Sequence, residues 1–391
     1  MSTNLLKILS FFVLTLLLTG TVTSIPTNTE PYDYFTYEEM TDLFFELANN
    51  HSDIMSVSSI GKTYEGRDIW LVKLSDNVEE DEDEAEVLLM GAHHGNERPS
   101  FEVLIYFINF IVEKYNQENT DDDQDGYVNE DVFDGIDNDL DLQVDEDPSE
   151  TRITNIIDTT EIYLIPMVNP DGVEFGWRKN RAPNYGPYGF ADEITSYGVD
   201  LNRNYGFRWF LPYIFPDNYY FEYLTDDESG IYRGVKPFSE NESSAVKAFV
   251  EDHDIQISLS YHDWGEWMIF PWMHTSRHTP HEALFRSIGY NISQINKYEL
   301  KIYGQYGEKD YLIPRFCGTP GSSENWLYGR HEILAYTVEL CERRPEIRPD
   351  KVLDACWKHV GVNLYVCERA QTVEEEKQQI KSSRNLFEFF W

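Results

Sequence analysis

Apolar residues recur along this chain in two rhythms. Over Thr36 to Ala48, the positions Met40, Leu43, Phe44 and Leu47 repeat every three or four residues and share one face, the pattern of an amphipathic helix. Ser56 to Gly61 and Asp68 to Leu74 read as two strands joined by the turn Tyr64-Glu65-Gly66-Arg67, and the acidic run Glu79 to Glu84 reads as a solvated turn. From there short, nearly continuous apolar runs alternate with helical stretches. The runs are Val87 to Met90, Glu161 to Val168, Ile255 to Tyr261 and Ile333 to Leu340; the helices are Phe101 to Tyr115 and a closing one over Pro349 to Ala370. Strands without a polar side are buried on both faces, so the pattern predicts an α/β fold whose mixed, mostly parallel central sheet has helices on both faces. Such sheets bind ligands beyond the C-terminal ends of their strands, and each of these four runs has a polar residue there.

Composition narrows this picture. The 391 residues, 41% hydrophobic and 15% aromatic, suffice for one large domain with insertions. A net charge of −39 leaves no basic footprint for nucleic acid. Lys7, the apolar run Ile8 to Leu18 and the small residues Gly20 to Ser24 read as a secretory signal peptide over 1–24; the run is short for a bilayer span. A secreted, monomeric protein without a membrane span is therefore expected, its main domain covering 31–370. With so short a lead before the first helix, no inhibitory prodomain of the usual length is expected. Cys317, Cys341, Cys356 and Cys367 form neither a zinc ribbon nor a redox pair and read as buried thiols. In the tail, 371–391, the charged stretch Thr372 to Lys381 is expected to fray, and the aromatic end Leu386 to Trp391 to cover an apolar patch.

The insertion 119–150 is the most acidic part of the chain. Asp121, Asp123 and Asp125 precede Gly126, and Asp137, Asp139 and Asp141 repeat the spacing. Oxygen ligands at alternate positions, with glycine for a sharp turn, suit Ca²⁺. Val132 and Pro148 stand where an EF-hand loop ends in a bidentate glutamate, so shorter calcium loops with a structural role are expected.

Candidate chemistry gathers at the strand ends. After Val87 to Met90 comes His93-His94-Gly95-Asn96-Glu97, and the spacing of three to Glu97 favours His94 over His93 as its partner. His262, ending Ile255 to Tyr261, completes a two-histidine, one-glutamate set for catalytic Zn²⁺. Glu339, at the end of an otherwise apolar strand, is placed to act as a base. Arg178 offers a guanidinium for a developing oxyanion, and Asn202 with Arg203 a bidentate site for a carboxylate.

Taken in order, SIGKTYEGRDI, HGNE, VNPDG, WRKNR, GVDLNRN, SYHDW, ENWLYG and YTVEL resemble the zinc carboxypeptidases of the funnelin (M14) family, from about Tyr34 to about Ala370. The resemblance implies zinc on His94, Glu97 and His262, and Glu339 as general base and later acid. It implies Arg178 on the scissile carbonyl, Asn202 and Arg203 on the substrate's terminal carboxylate, and Asp200 as acceptor for the His94 ring. It further implies peptide or protein substrates, and places Glu324 at the base of the side-chain pocket, where an acid selects Lys or Arg. One position departs from the pattern: Cys317 stands where the family has a capping tyrosine, with Tyr303, Tyr306 and Tyr311 as substitutes. Two other readings are an amidohydrolase of the same fold acting on γ-linked or acylated amino acids, and a calcium-dependent surface protein. The Asn202-Arg203 pair speaks against the first and Glu339 against the second.

Overall fold

Thr36 caps the first helix, α1 (Tyr37–Asn50), as its sequence invites: its hydroxyl accepts from the Glu39 amide at 3.2 Å, and the Glu39 carboxylate accepts from the Thr36 amide at 3.0 Å. The computed structural model describes residues 33–116, 150–210, 219–275, 277–302, 319–342 and 349–388. The leader 1–24, the aspartates Asp121 to Asp141 and the stretch holding Tyr303, Tyr306, Tyr311 and Cys317 lie outside the described residues.

Ten strands and the remaining helices follow among those residues. They are β1 (Met55–Lys62), β2 (Asp68–Leu74), β3 (Ala85–Met90), α2 (Pro99–Lys114), α3 (Glu150–Ile157), β4 (Thr160–Ile165) and α4 (Pro170–Phe175). After a two-residue ribbon, β5 (Pro183–Asn184) with β6 (Ser196–Tyr197), and a 3₁₀ turn at Leu201–Arg203 come α5 (Tyr219–Thr225), α6 (Asn241–Glu251), β7 (Ile255–Asp263) and β8 (Trp267–Phe270). The chain closes with α7 (Glu282–Asn296), β9 (Glu299–Ile302), α8 (Ser323–His331), β10 (Leu334–Leu340) and α9 (Pro349–Glu388). Eight strands form one sheet in the order β1-β2-β4-β3-β7-β10-β8-β9. The four central strands β4, β3, β7 and β10 run parallel, and antiparallel pairs flank them, so the fold is the mixed α/β sheet that the apolar runs predict.

Alternation along these strands feeds two cores. Val87 and Leu89 of β3, Ile162 and Leu164 of β4, Ile257, Leu259 and Tyr261 of β7, and Leu334, Tyr336 and Val338 of β10 join one core with α1, α2, α7 and α9. Their neighbours Leu88, Met90, Tyr163, Ile165 and Ala335 join the other, with α6 and α8. The second face is less apolar toward the strand ends: Ser258, Ser260 and His262 stand beside Ala335, Thr337 and Glu339 in register. Period-two geometry therefore sends Tyr261 into the core and His262 out of the opposite face.

The tail corrects the sequence reading. The closing helix does not stop near Ala370 but continues through the expected fraying stretch to Glu388. Val373 is fully buried, Lys377 is buried, and Lys381 pairs with Glu332 at 2.6 Å, so contacts with the domain hold what helix propensity alone would let fray. Cys356 and Cys367 are buried thiols on this helix, and Cys341 is buried just past β10.

The loop after β3 is fixed by the segment after β4. The Val168 and Asn169 amides donate to the Gly91 and Ala92 carbonyls at 3.1 Å each, and Asn169 caps α4 by accepting from the Gly172 amide at 2.9 Å. Gly95 packs against that helix so closely that a Cβ would overlap the backbone of Gly172 and Val173. Gly95→Ala is expected to cost about 1–3 kcal/mol of unfolding free energy in urea titrations, as forced overpacking does. Native stability in that variant would show that the two loops do not make this contact.

Candidate functional site

Three parallel strands end at one place. β3 leads into His94 and Glu97, β7 ends at His262-Asp263, and Glu339 of β10 is the register partner of His262. His94 and His262 turn the same ring atom inward: their Nδ1 atoms lie 3.1 Å apart, with Glu97 Oε1 3.0 Å from the first and Oε2 2.8 Å from the second. All three side chains are buried. Tetrahedral zinc ligands at about 2.0–2.1 Å from the metal stand roughly 3.3 Å apart, so this donor set fits Zn²⁺ with shifts of a few tenths of an ångström.

A second layer orients these groups. His94 Nε2 is 2.9 Å from Asp200 Oδ1, which leaves Nδ1 free for a metal. Arg178 donates to Asp200 Oδ2 from Nε at 3.0 Å and Nη2 at 2.9 Å, and to Glu97 Oε1 from Nη1 at 3.2 Å. Burial alone would raise Asp200, but Arg178, Arg203 and His94 outweigh it and hold its carboxyl well below the usual range. Glu97 behaves likewise: His94 and His262 overcome its burial and keep it ionised. Burial would lower His94, as would Arg178, yet Glu97 and Asp200 raise it. Glu339 is driven the other way, well above the usual carboxylate range, by burial first and then by Glu97 and Asp263, against Arg178.

His93, the rival in the sequence, faces away from this point. Its Nε2 is 2.9 Å from the Tyr205 hydroxyl and its Nδ1 3.2 Å from Ser260 Oγ, while its ring stacks on His262. Burial, with His262 and His94, holds it well below the usual imidazole range, so it is neutral.

The residues expected to clamp a carboxylate divide. Asn202 is buried; its Oδ1 accepts from the Ser323 amide at 2.8 Å and hydroxyl at 3.1 Å, and its Nδ2 lies 3.3 Å from His262 Nε2. Arg203 donates from Nη1 to the Asn202 carbonyl at 2.7 Å. Glu324, near the start of α8, is fully buried; Ser323 Oγ donates to its Oε1 at 3.0 Å, and its Oε2 has no hydrogen-bond partner among the described residues. Ser323 thus links Asn202 to Glu324, a connection no spacing in the chain announces.

Asn180 was also missed, although it belongs to the WRKNR stretch. Its Oδ1 accepts from the Val199 amide at 2.8 Å, and its Nδ2 donates to Glu240 at 2.9 Å and Glu242 at 3.0 Å. It joins the Arg178 segment to the Asp200 segment and to α6. A helical asparagine-glutamate contact would show as a local repeat; this one spans 62 positions.

Comparison with known proteins agrees with this geometry. The family model described as zinc carboxypeptidase (peptidase M14) matches residues 40–359. The chain is 26% identical over 321 residues to the zinc carboxypeptidase of Saccharothrix mutabilis subsp. capreolus, a match covering 78% of this chain and 62% of that protein. It is 26% identical over 322 residues to carboxypeptidase B of Helicoverpa zea, covering 79% and 63%. The match thus spans about three fifths of each relative's length. Among solved structures, carboxypeptidase A of Helicoverpa armigera superposes with a TM-score of 0.64 at 19% identity, covering 93% of this chain and 80% of that one, a likeness of fold. Sheet and site define a class of α/β proteins with two histidines and a glutamate clustered at the C-terminal ends of parallel strands. Within it, the chain belongs to the zinc carboxypeptidase family.

Two outcomes are expected here. Asp200→Asn should weaken zinc binding about 10–100-fold in competition with a chelator, as loss of a partner to a ligand imidazole does; unchanged affinity would show that Asp200 does not orient His94. Glu242 is pushed up to about 8 by burial and then by Glu240, above its unfolded value near 4.5. The native state therefore keeps a proton that the unfolded chain releases, and this contribution to stability, full below pH 4.5, is lost as pH rises through 8. Glu242→Gln should flatten the fall in stability between pH 5 and 8 in urea melts; an unchanged slope would remove Glu242 as its cause.

Proposed function

We propose that the chain is a secreted zinc carboxypeptidase that removes C-terminal residues from peptides or proteins, with preference for Lys and Arg. The observation that carries the activity is the convergence of His94, His262 and Glu97 on one point beside Glu339, with Asp200 fixing the His94 ring. Zinc on those three side chains would supply Lewis acidity toward a carbonyl and acidify a water. Its charge would also lower the Glu339 carboxyl from its elevated value, making a carboxylate available.

Glu339 takes the proton of the attacking water on a carboxylate oxygen and returns it to the leaving amine. Arg178, held by Asp200, presents Nη1 beside Glu97, where an oxyanion would develop. Arg203 donates through Nη1 to the Asn202 carbonyl and has further donors for a terminal carboxylate. Asn202 serves the clamp only if its amide gives up part of its hold on Ser323 and His262.

The basic preference rests on Glu324. A buried carboxylate oxygen without a donor is costly, and a lysine or arginine side chain entering the pocket would satisfy it. Export rests on the segment Ile8 to Leu18, and no helix among the described residues is long and apolar enough to cross a membrane. The spacing of Asp121, Asp123 and Asp125, and of Asp137, Asp139 and Asp141, supports Ca²⁺ in the insertion.

Glu339→Gln is expected to retain zinc by elemental analysis while kcat falls at least about 10²–10⁴-fold; near-native turnover would reject the base assignment. With paired peptides ending in Arg and Phe, kcat/KM should favour Arg, and Glu324→Gln should lower the Arg value about 10–100-fold while sparing Phe, the loss of one charged hydrogen bond. Equal or better cleavage of the Phe peptide by the native enzyme sinks the specificity.

A further inference from the structure

The segment between β2 and β3 is the mostly exposed acidic turn that its sequence predicts, but its carboxylates gather against a buried edge of the sheet. Oxygens of Asp76, Glu82 and Glu84 lie within 4.8 Å of one another, and so do those of Asp81, Glu86 and Glu161. The two triads adjoin, since the Glu82 amide donates to Glu161 Oε1 at 3.2 Å. Glu86 is only 5% exposed; its Oε1 accepts from the Asp254 amide at 3.2 Å, while its Oε2 has no hydrogen-bond partner among the described residues. Asp76 Oδ1 and Glu84 Oε2 are also buried without a hydrogen-bond partner.

Leaving such oxygens desolvated and unpaired is costly, more so when they are charged. Burial and neighbouring carboxylates push both Glu84 and Glu86 up to about 7. Lys73 lies at this corner, its ammonium donating to Glu161 Oε1 at 2.6 Å and to the Glu80 carbonyl.

We propose that this corner of the sheet is a calcium site, in which the triads Asp76, Glu82, Glu84 and Asp81, Glu86, Glu161 supply the oxygen ligands. An all-oxygen donor set selects a hard cation. Ca²⁺ accepts six to eight oxygens in irregular geometry, whereas Mg²⁺ demands a near-octahedral shell and keeps several waters, so a crowded carboxylate loop suits Ca²⁺.

The location makes the ion structural. Glu86 and Glu161 are register partners near the N-terminal ends of β3 and β4, at the opposite end of the sheet from His94, His262 and Glu339. Through Asp254 the same corner reaches the start of β7. A cation there ties the loop after β2 to β3, β4 and β7, of which β3 and β7 lead to the zinc centre.

The test uses the full-length, zinc-loaded protein stripped with EGTA. Adding CaCl₂ should slow amide hydrogen exchange in peptides covering 75–86, read by mass spectrometry, and raise Tm by several degrees. Glu84→Gln/Glu86→Gln, which removes two buried charges without changing shape, should bind at least one fewer Ca²⁺ per chain by calorimetric titration and lose the slowing at 75–86. Reading exchange peptide by peptide separates this corner from calcium taken up by the insertion. Unchanged exchange at 75–86 in the native chain, or an equal calcium count in native and variant proteins, overturns the site. An equal response to MgCl₂ at the same concentration overturns the assignment to calcium.

Discussion

Asp200 is completely buried, and what its carboxylate accepts arranges the whole centre. One oxygen receives the His94 ring at Nε2 and the other the fork of Arg178, so a single anion fixes the tautomer of a metal ligand and the position of the adjoining guanidinium. Burying that anion is tolerable only because the Arg178 and Arg203 guanidiniums and the His94 ring surround it. The neighbouring Glu97 solves the same problem between His94 and His262. Glu339 stands beside Glu97 and Asp263, and burial with these two carboxylates raises its carboxyl against the pull of Arg178. A divalent cation at the three converging side chains is the natural remedy, and the geometry of those side chains admits one.

The sheet divides its labour between its two ends. Alternation along β3, β4, β7 and β10 fills two apolar cores, and at the C-terminal ends the same alternation leaves Ser260, His262, Thr337 and Glu339 on one face. At the N-terminal ends stand Glu86 and Glu161, in register and heavily buried. Acidic groups thus gather at both ends of rigid parallel strands, where backbone geometry holds them against their mutual repulsion. The same rigid strands thus hold the His94, Glu97, His262 cluster at one end and the carboxylate cluster at the other.

Much of this was legible in the chain. Strands β3, β7 and β10, the helices at Tyr37 and Pro99, and the cap at Thr36 follow from local rules, because period and capping involve residues a few positions apart. The order HGNE, then SYHDW, then YTVEL placed His94, Glu97, His262 and Glu339 at strand ends, and the structure brings them together. Elsewhere the local reading failed. Helix α9 runs on to Glu388 because Val373 and Lys377 meet the domain surface, which no charge pattern reveals. The run Glu79 to Glu84 is the mostly exposed turn its sequence predicts, but no local pattern shows that its carboxylates gather with Asp76, Glu86 and Glu161.

The sequence by itself determined the class of fold and that His94 and Glu97 stand together past the end of β3, since a strand's two faces and a spacing of three are written within a few residues. Only the tertiary structure decided which nitrogen of each histidine turns inward, that His93 is neutral and turned away, and that Asn202 is engaged by Ser323. It also left one oxygen of Glu324 and one of Glu86 without a partner. The reason is distance along the chain: His262 and Glu97 meet across 165 positions, and Asn202 and Ser323 across 121. The direction of a hydrogen bond between such groups is fixed by how strands and loops pack, and packing is a property of the whole sheet rather than of any stretch of it.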